Sequence, residues 1–477
     1  MIYKRFKQLF FFTLTAGAIF GCTIAVVAES ENGTPLLWKN RDVHNVDQEV
    51  RYFDTTPYRF VANVYRGETH RAWAGINEAG FAIVNTDTYN QGSWGTGGLD
   101  DGEIMFWSLS NCLTVGDFQD YLDSTNTTVR RSTHCYGVID AFGGAIIYEA
   151  GRYDYERYDA WAAPGGYLVR TNYADCGSDS LVGEERRLRA EEIISLPGSI
   201  DAYLFLYILA RDLVLHDFDP YPLPFSGVYD TLPSGIISTK YTLNRYYTSS
   251  SSVIQGVGKS ECPGVLWEYL GQPIVSIPVP IWVQAGEVPA GLCSSTGSEL
   301  CHMANEFKSL VYTSPTTVNT YPLAELLDFY FDTEERIYHD VEELYLAGPS
   351  AFADSSNLAA TEHDFVDRVT SIYYDLRELF VREYGNSLPS GAELDIYPNP
   401  FNGTGSVNVF VHSPVIAEVR LYNMTGHLAA TPLNSRLIFA GKTTIRLTTE
   451  SLQSGIYFAS LLLDGQVSAT TKVVIVE

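Results

Sequence analysis

Cys22-Thr23-Ile24-Ala25-Val26-Val27, Asn32-Gly33 and Pro35-Leu36-Leu37-Trp38-Lys39-Asn40-Arg41-Asp42 decide how this 477-residue chain is read. Thr23 to Val27 is a β-branched, apolar run with the texture of a buried strand. Asn32-Gly33 supplies the positive φ of a tight turn, and Pro35 to Trp38 reads as the returning strand. Cys22 and Asp42 are equally distant from Asn32, so a hairpin symmetric about that residue brings a thiol and a carboxylate together. Removal of residues 1–21 would make Cys22 the amino terminus. One residue would then carry a nucleophile and its own amine base.

The residues before Cys22 support such a removal. Lys4, Arg5 and Lys7 precede an apolar run from Leu9 to Gly21, the charged and hydrophobic regions of a secretory signal. Three outcomes are open. Cleavage after Gly21 exposes Cys22. Cleavage after Val26-Val27-Ala28 uses a better small-residue site and discards Cys22. A lipid anchor on Cys22 is the third, though bulky Phe20 before Gly21 fits a lipoprotein signal poorly. No stable membrane span is expected after processing.

A net charge of −26, with no Lys/Arg run beyond the first seven residues, excludes nucleic acid as a partner. Hydrophobic content of 45% and charged content of 18% indicate a packed globular chain, and its length calls for two or three domains. Seven cysteines (22, 112, 135, 176, 262, 293 and 301) in an exported chain leave one unpaired. Cys22 is that one, and Cys293 with Cys301 is the first expected disulfide. No Cys/His spacing resembles a zinc site, and neither metal nor cofactor is expected.

From Cys22 to about Trp282 short strands alternate with a few helices, which indicates layered helix and sheet packing. Gly75 to Asn85 is a turn feeding a buried strand, and Tyr136 to Glu149 is a hairpin about Gly143-Gly144. Tyr167 to Asn172, Ser249 to Val257 and Pro273 to Trp282 read as strands, and Glu184 to Leu196 as an amphipathic helix. Leu323 to Leu346 and Phe365 to Tyr384 show apolar residues at helical spacing and read as flanking helices. Gly385 to Gly391 is a linker by composition. Beyond it, Val407/Val409/Val411 and Val419/Leu421 alternate in a two-residue period, with a turn about every ten residues, as in a small all-β sandwich.

Two resemblances follow from these stretches. Tyr397-Pro398-Asn399-Pro400-Phe401-Asn402, Leu421-Tyr422-Asn423, Ser454-Gly455-Ile456-Tyr457-Phe458 and the basic-then-apolar final strand from Lys472 resemble the C-terminal sorting domain of type IX secretion cargo. That resemblance implies a secreted or cell-surface protein, exported through the periplasm, whose tail engages the secretion machinery. The Cys22 hairpin, Gly75–Asn85, Leu168-Val169-Arg170-Thr171-Asn172-Tyr173-Ala174, Asn244–Val253 and Gly271–Val283 together resemble the choloylglycine hydrolase and isopenicillin-N acyltransferase superfamily, on its carcinine-hydrolase-like branch. These are cysteine amidases of the N-terminal-nucleophile (Ntn) class.

The second resemblance implies an α+β fold, a four-layer αββα sandwich, over residues 22–385; the linker at 386–392 and the β-sandwich at 393–477 rest on composition, alternation and the first resemblance. The second also implies that Cys22 is the nucleophile and Asp42 the carboxylate that orients the amine. Asn85 and Asn172 take oxyanion-hole positions, and Arg245 supports the site. Lys39 stands where bile-salt members carry an arginine. The implied activity is cleavage, or acyl transfer, of a small-molecule or short-peptide amide through a Cys22 thioester. The alternative is an exported surface or binding protein that kept the fold and lost the site.

Overall fold

The computed structural model describes residues 21–383, 393–411, 415–424, 427–438, 441–448, 452–463 and 466–476. The leader up to Phe20 and the linker expected at 386–392 lie outside the described residues.

Strand β1 (Thr23–Val27) turns back into β2 (Leu36–Asp42) as the sequence suggests, with Gly33 at φ 72°. The register differs by one residue from a hairpin symmetric about Asn32. Thr23 pairs with Asn40 and Val27 with Leu36. The turn is the cause: Ser30 N–H donates to Thr34 O, and Gly33 N–H to Ser30 O, closing a wider loop than a two-residue turn.

The chain then builds a second, antiparallel sheet in sequence order. Its strands are β3 (Gln48–Phe53), β4 (Phe60–Tyr65), β5 (Ala74–Asn77), β6 (Ala82–Asp87), β7 (His134–Ile139), β8 (Ala145–Ala150) and β9 (Tyr155–Asp159). Helices α1 (Asp101–Asn111) and α2 (Val115–Thr125) intervene between β6 and β7. Each starts in a capping box, Asp100 with Glu103 and Thr114 with Asp117, which satisfies the orphan amides of its first turn. Ile104, Met105, Leu109, Phe118 and Leu122 of these helices share a core with Phe60, Ile83, Tyr136 and Val138 of the sheet.

The first sheet is completed by β10 (Tyr167–Arg170), which pairs with β1, and by strands that follow α3 (Glu184–Ser195) and the short β11 (Ile236–Ser238). These are β12 (Thr248–Gln255), β13 (Val265–Leu270) and β14 (Val279–Ile281), giving the order β10-β1-β2-β12-β13-β14. Strands β1 and β2 pack across β6 and β7 of the second sheet. A side chain on Gly137 would put its Cβ 2.8 Å from Val26 Cγ2, so glycine there lets the sheets approach.

On the first sheet's other face Trp38 meets Phe205 of a π-helical segment, Leu204–Leu209, and Trp267 stacks on Tyr338. Tyr338 belongs to α5 (Thr320–Ala347), which follows α4 (Glu299–Val311) and the short pair β15 (Tyr312–Ser314) and β16 (Thr317–Asn319). Helix α6 (Ser355–Glu383) closes this region, so both flanking helices read from periodicity are present. The buried tryptophans set the scale: truncating one costs about 3–5 kcal/mol.

Two readings are corrected. Pro273 to Trp282 is not one strand: Pro273–Val275 is a 3₁₀ turn and only Val279–Ile281 is extended. Pro273, Pro278 and Pro280 have no N–H to give a ladder, which breaks the run. All seven cysteines are free, including Cys293 and Cys301. Cys301 is buried on α4 with its thiol 3.1 Å from Val46 O, while Cys293 sits beside Glu49 and Arg51.

The tail has its own core. Strands β17 (Glu393–Tyr397), β18 (Thr404–Val411), β19 (Val415–Asn423), β20 (Leu428–Ile438), β21 (Gly441–Thr448), β22 (Gly455–Leu463) and β23 (Gln466–Ile475) form two antiparallel sheets. Val407, Val409, Val419, Leu421 and Leu461 are buried among residues of this segment alone.

Between the two main sheets, Glu268 accepts from Asn63 Nδ2 (2.7 Å) and Ser252 Oγ (2.5 Å). Burial pushes its carboxyl up to about 8, against the pull of these donors and of Arg41 and Lys39. The folded chain thus keeps a proton that the unfolded chain has lost, so this group makes stability fall as pH rises from the ordinary glutamate range through about 8. Glu268→Gln is expected to flatten that part of the stability profile. Thermal midpoints at pH 5 and pH 8 check this, and an unchanged difference between them contradicts it.

Candidate functional site

Cys22 stands at the head of β1, half-buried, with its main chain fixed from several directions. Thr86 Oγ1, on β6, donates to Cys22 O at 3.1 Å, and Arg186 Nη1, on α3, donates to the same oxygen at 3.0 Å. Arg186 Nη1 also reaches Thr23 Oγ1 (2.7 Å) and Gly21 O (2.7 Å). Arg245 Nη2 donates to Gly21 O as well, at 2.9 Å. The carbonyl that precedes Cys22 is therefore held by two guanidinium groups.

Asp42 lies at the end of β2 with a fully buried side chain. Arg245 grips its Oδ2 through Nε at 3.0 Å and through Nη2, and Thr248 Oγ1 donates to Oδ1 at 2.6 Å. The Asp42 main-chain N–H meets the Cys22 thiol, so the two residues converge despite the shifted register. Arg245 is thus no surface ion pair. Its position follows from a turn at Arg245–Thr248, whose Thr248 hydroxyl also accepts from Arg245 N–H at 2.9 Å.

Lys39 is buried inside the fold. Its Nζ donates to Trp73 O at 2.8 Å and Asn85 Oδ1 at 2.5 Å. Asn85 Nδ2 donates in turn to Asp101 Oδ2 at 2.8 Å. Asn172 accepts from Arg186 Nη2 at 2.6 Å and donates through Nδ2 to Asp87 O (3.1 Å) and Thr86 Oγ1 (3.3 Å). Both asparagines thus stand next to groups that touch Cys22 or its neighbours. Both acceptors of the Asn172 amide lie within the chain, whereas Asn85 gives one of its two amide hydrogens to Asp101.

Electrostatics at the centre are mixed. Burial pushes the Cys22 thiol up; Lys39 pulls it down, while Asp42 and Asp87 push it further up. Burial lowers Lys39, against the Cys22 thiolate, Asp101 and Asp87. Burial, aided by Arg245, brings Arg186 down to about 10. Burial also works against charge on His134, but Asp101 and Asp87 outweigh it and raise that imidazole above its usual range.

Sequence reasoning missed Arg186, Thr86, Thr248, Asp87, Asp101 and His134. Asp87 lies two residues after Asn85 on the same strand, so strand periodicity alone would have put it on the same face. Arg186 sits in Glu184-Glu185-Arg186-Arg187-Leu188-Arg189, where nothing distinguishes one buried arginine from two half-buried ones. Asp87, Asp101 and His134 place a ligand atom each within 4.8 Å of one another, with His134 Nδ1 3.0 Å from Asp87 Oδ1. This is the arrangement of groups able to face a cation among the described residues.

Residues 395–477 match the model of the secretion system C-terminal sorting domain. The chain therefore carries a type IX address, which directs export to the cell surface or beyond. No described helix is long and apolar enough to cross a membrane. Among curated proteins no match to the chain is found. Among solved structures, penicillin V acylase from Agrobacterium tumefaciens is similar at 17% identity, over 55% of this chain and 85% of that one, with a TM-score of 0.35. Two mutants of a conjugated bile acid hydrolase from Clostridium perfringens are similar at 13% identity. One match covers 55% of this chain and the other 54%, each covers 92% of the hydrolase, and their TM-scores are 0.35 and 0.34.

Gly21 is tightly enclosed: a Cβ there would lie 1.8 Å from Asn172 Oδ1. In the uncleaved chain Gly21→Ala is expected to force the Asn172 amide or the Gly21 backbone aside, at about 1–3 kcal/mol. The thermal midpoint should drop by a few degrees and recover in the Gly21→Ala, Asn172→Gly double variant. A midpoint unchanged by Gly21→Ala contradicts this packing.

Proposed function

We propose that the chain is an exported cysteine amidase or acyltransferase in which Cys22, exposed by removal of residues 1–21, is the nucleophile. The observation that carries this reading is the convergence on Cys22 of Asp42, Lys39, Asn85, Asn172 and Arg245, drawn from separate segments of the chain. Two facing sheets, with α1 and α2 outside one and the α3, π-helical and α5 segments outside the other, support an αββα Ntn sandwich over residues 22–385. The distinct core of 396–475 supports a linker at 386–392 and a separate sorting domain at 393–477.

The chemistry follows from the terminal residue. An α-amine has a pKa of about 7.7–8.0, so a useful fraction is neutral near pH 7 and takes the thiol proton. The thiolate attacks the amide carbonyl carbon, and the carbonyl electron pair moves onto oxygen. Collapse of that intermediate breaks the C–N bond, and the leaving amine takes the proton back from the α-ammonium. Water, or an acceptor amine, then attacks the thioester and frees Cys22. Arg245 and Thr248 hold Asp42 for the amine, and Lys39 favours the thiolate. The oxyanion role of Asn172 requires an amide hydrogen to turn from its present acceptor to the substrate, while Asn85 keeps its bond to Asp101 and offers its second amide hydrogen.

Cys22→Ser is expected to lower turnover of any amide cleaved by the purified mature protein by about a hundredfold or more. Activity of the serine variant within tenfold of wild type contradicts the assignment of Cys22 as nucleophile. Deleting residues 393–477 is expected to leave that activity and the thermal midpoint of the purified chain unchanged while abolishing export. Fractionation in a host with type IX secretion, beside kinetics on the purified protein, checks this. A truncated chain that is inactive makes the tail part of the enzyme, and one still exported removes its role as the address.

A further inference from the structure

Asp101 has a place in this site that helix formation does not demand. Helix α1 is already capped by Asp100, whose carboxylate accepts from Glu103 N–H while the Glu103 carboxylate accepts from Asp100 N–H. Asp101, one residue on, turns instead toward β6, where its Oδ2 accepts from Asn85 Nδ2 at 2.8 Å. The other end of the same amide, Asn85 Oδ1, accepts from Lys39 Nζ at 2.5 Å. Lys39 lies on β2, the strand paired with the one that Cys22 heads, directly across from Ile24. One unbroken line of hydrogen bonds thus runs from the first turn of α1 through an amide to a buried ammonium.

We propose that Asp101 is a positioning residue for the Cys22 reaction, which through Asn85 fixes the orientation and charge of the Lys39 ammonium that supports the thiolate. This rests on Cys22 being the nucleophile. An asparagine amide cannot reverse freely in this line: with Asp101 ionised, its NH₂ must face the carboxylate and its oxygen must face Lys39. The carboxylate therefore selects the amide orientation that offers lysine an acceptor. The opposite orientation would point two donors at the ammonium. Asp101 also supplies a negative charge that opposes the loss of Lys39's proton on burial. Among charges acting on the thiol itself, Lys39, Asp42 and Asp87 stand out and Asp101 does not, so its influence passes through Lys39.

The test is the pH dependence of Cys22 alkylation in the mature secreted protein, read by peptide mapping so that exposed Cys176 is scored separately. Asp101→Asn keeps the shape and an acceptor oxygen but removes the charge. The midpoint of Cys22 labelling is expected to move to higher pH, so that at a fixed pH below it labelling slows about threefold or more. Turnover should fall while KM stays near the wild-type value, and Asp101→Glu should restore the profile at least in part. A profile that stays put or moves to lower pH in Asp101→Asn overturns the proposal. If Cys22 of the wild-type protein is not labelled at all, the nucleophile reading itself fails, which separates the two. Should Asp101→Asn fold poorly, Asp101→Ser removes the same charge with a smaller side chain, and a labelling profile that does not move to higher pH overturns the proposal.

Discussion

The grip of Arg245 and Thr248 on the Asp42 carboxylate is the interaction on which the rest of the site depends. A fully buried carboxylate is costly unless it is paired and hydrogen-bonded, and Asp42 has both kinds of partner. The guanidinium that neutralises it also reaches the Gly21 carbonyl, so the same ion pair fixes the main chain entering Cys22. Arg186 takes that carbonyl from the other side and ties it to Asn172, Thr23 and the Cys22 carbonyl. Strand β1 is thereby anchored at its first residue by elements from β2, β6, α3 and the turn before β12. Breaking the pair by removing one partner would leave a buried charge alone, which typically costs about 3–5 kcal/mol.

Placing so many ionic groups at one end of the inter-sheet space has an energetic consequence. The interior near Cys22 is polar, with Lys39, Glu268, Asn63 and Ser252 all buried. The apolar contribution comes from elsewhere: the inter-sheet valines and isoleucines, the tryptophans under the helices, and the outer core beneath α1 and α2. Such a division is common where a catalytic constellation must be held firmly on strands. Rigid elements carry the groups, and remote packing offsets their desolvation.

Much of this was legible in the sequence because it depends on local chemistry. The Asn32-Gly33 turn, the period-2 valines of the tail and the 3.6-residue periodicity of α5 and α6 each report on their immediate neighbours. The register of β1 against β2 was displaced by one residue because Ser30–Thr34 contacts inside the turn have no sequence signature. Pro273–Trp282 looked like a strand because its apolar texture overshadowed three prolines that cannot join a ladder. The burial of Lys39 and the choice of Arg186 among three helix arginines are set by tertiary packing, which residue types on one stretch do not encode. Asp101 was unreadable for the same reason: its partner Asn85 is sixteen residues away on a different element. The cysteines were paired on compartment and spacing, and geometry keeps Cys301 in a helix facing Val46 instead.

The central claim is that Cys22 becomes an amino terminus. Mass spectrometry of the amino-terminal peptide of the mature, exported protein tests it most directly. The account predicts a peptide that begins at Cys22 with a free α-amine, and that gains the mass of an acyl group when the protein is quenched in acid during turnover of an amide. A peptide that begins at Glu29, or a Cys22 that carries lipid, would contradict it.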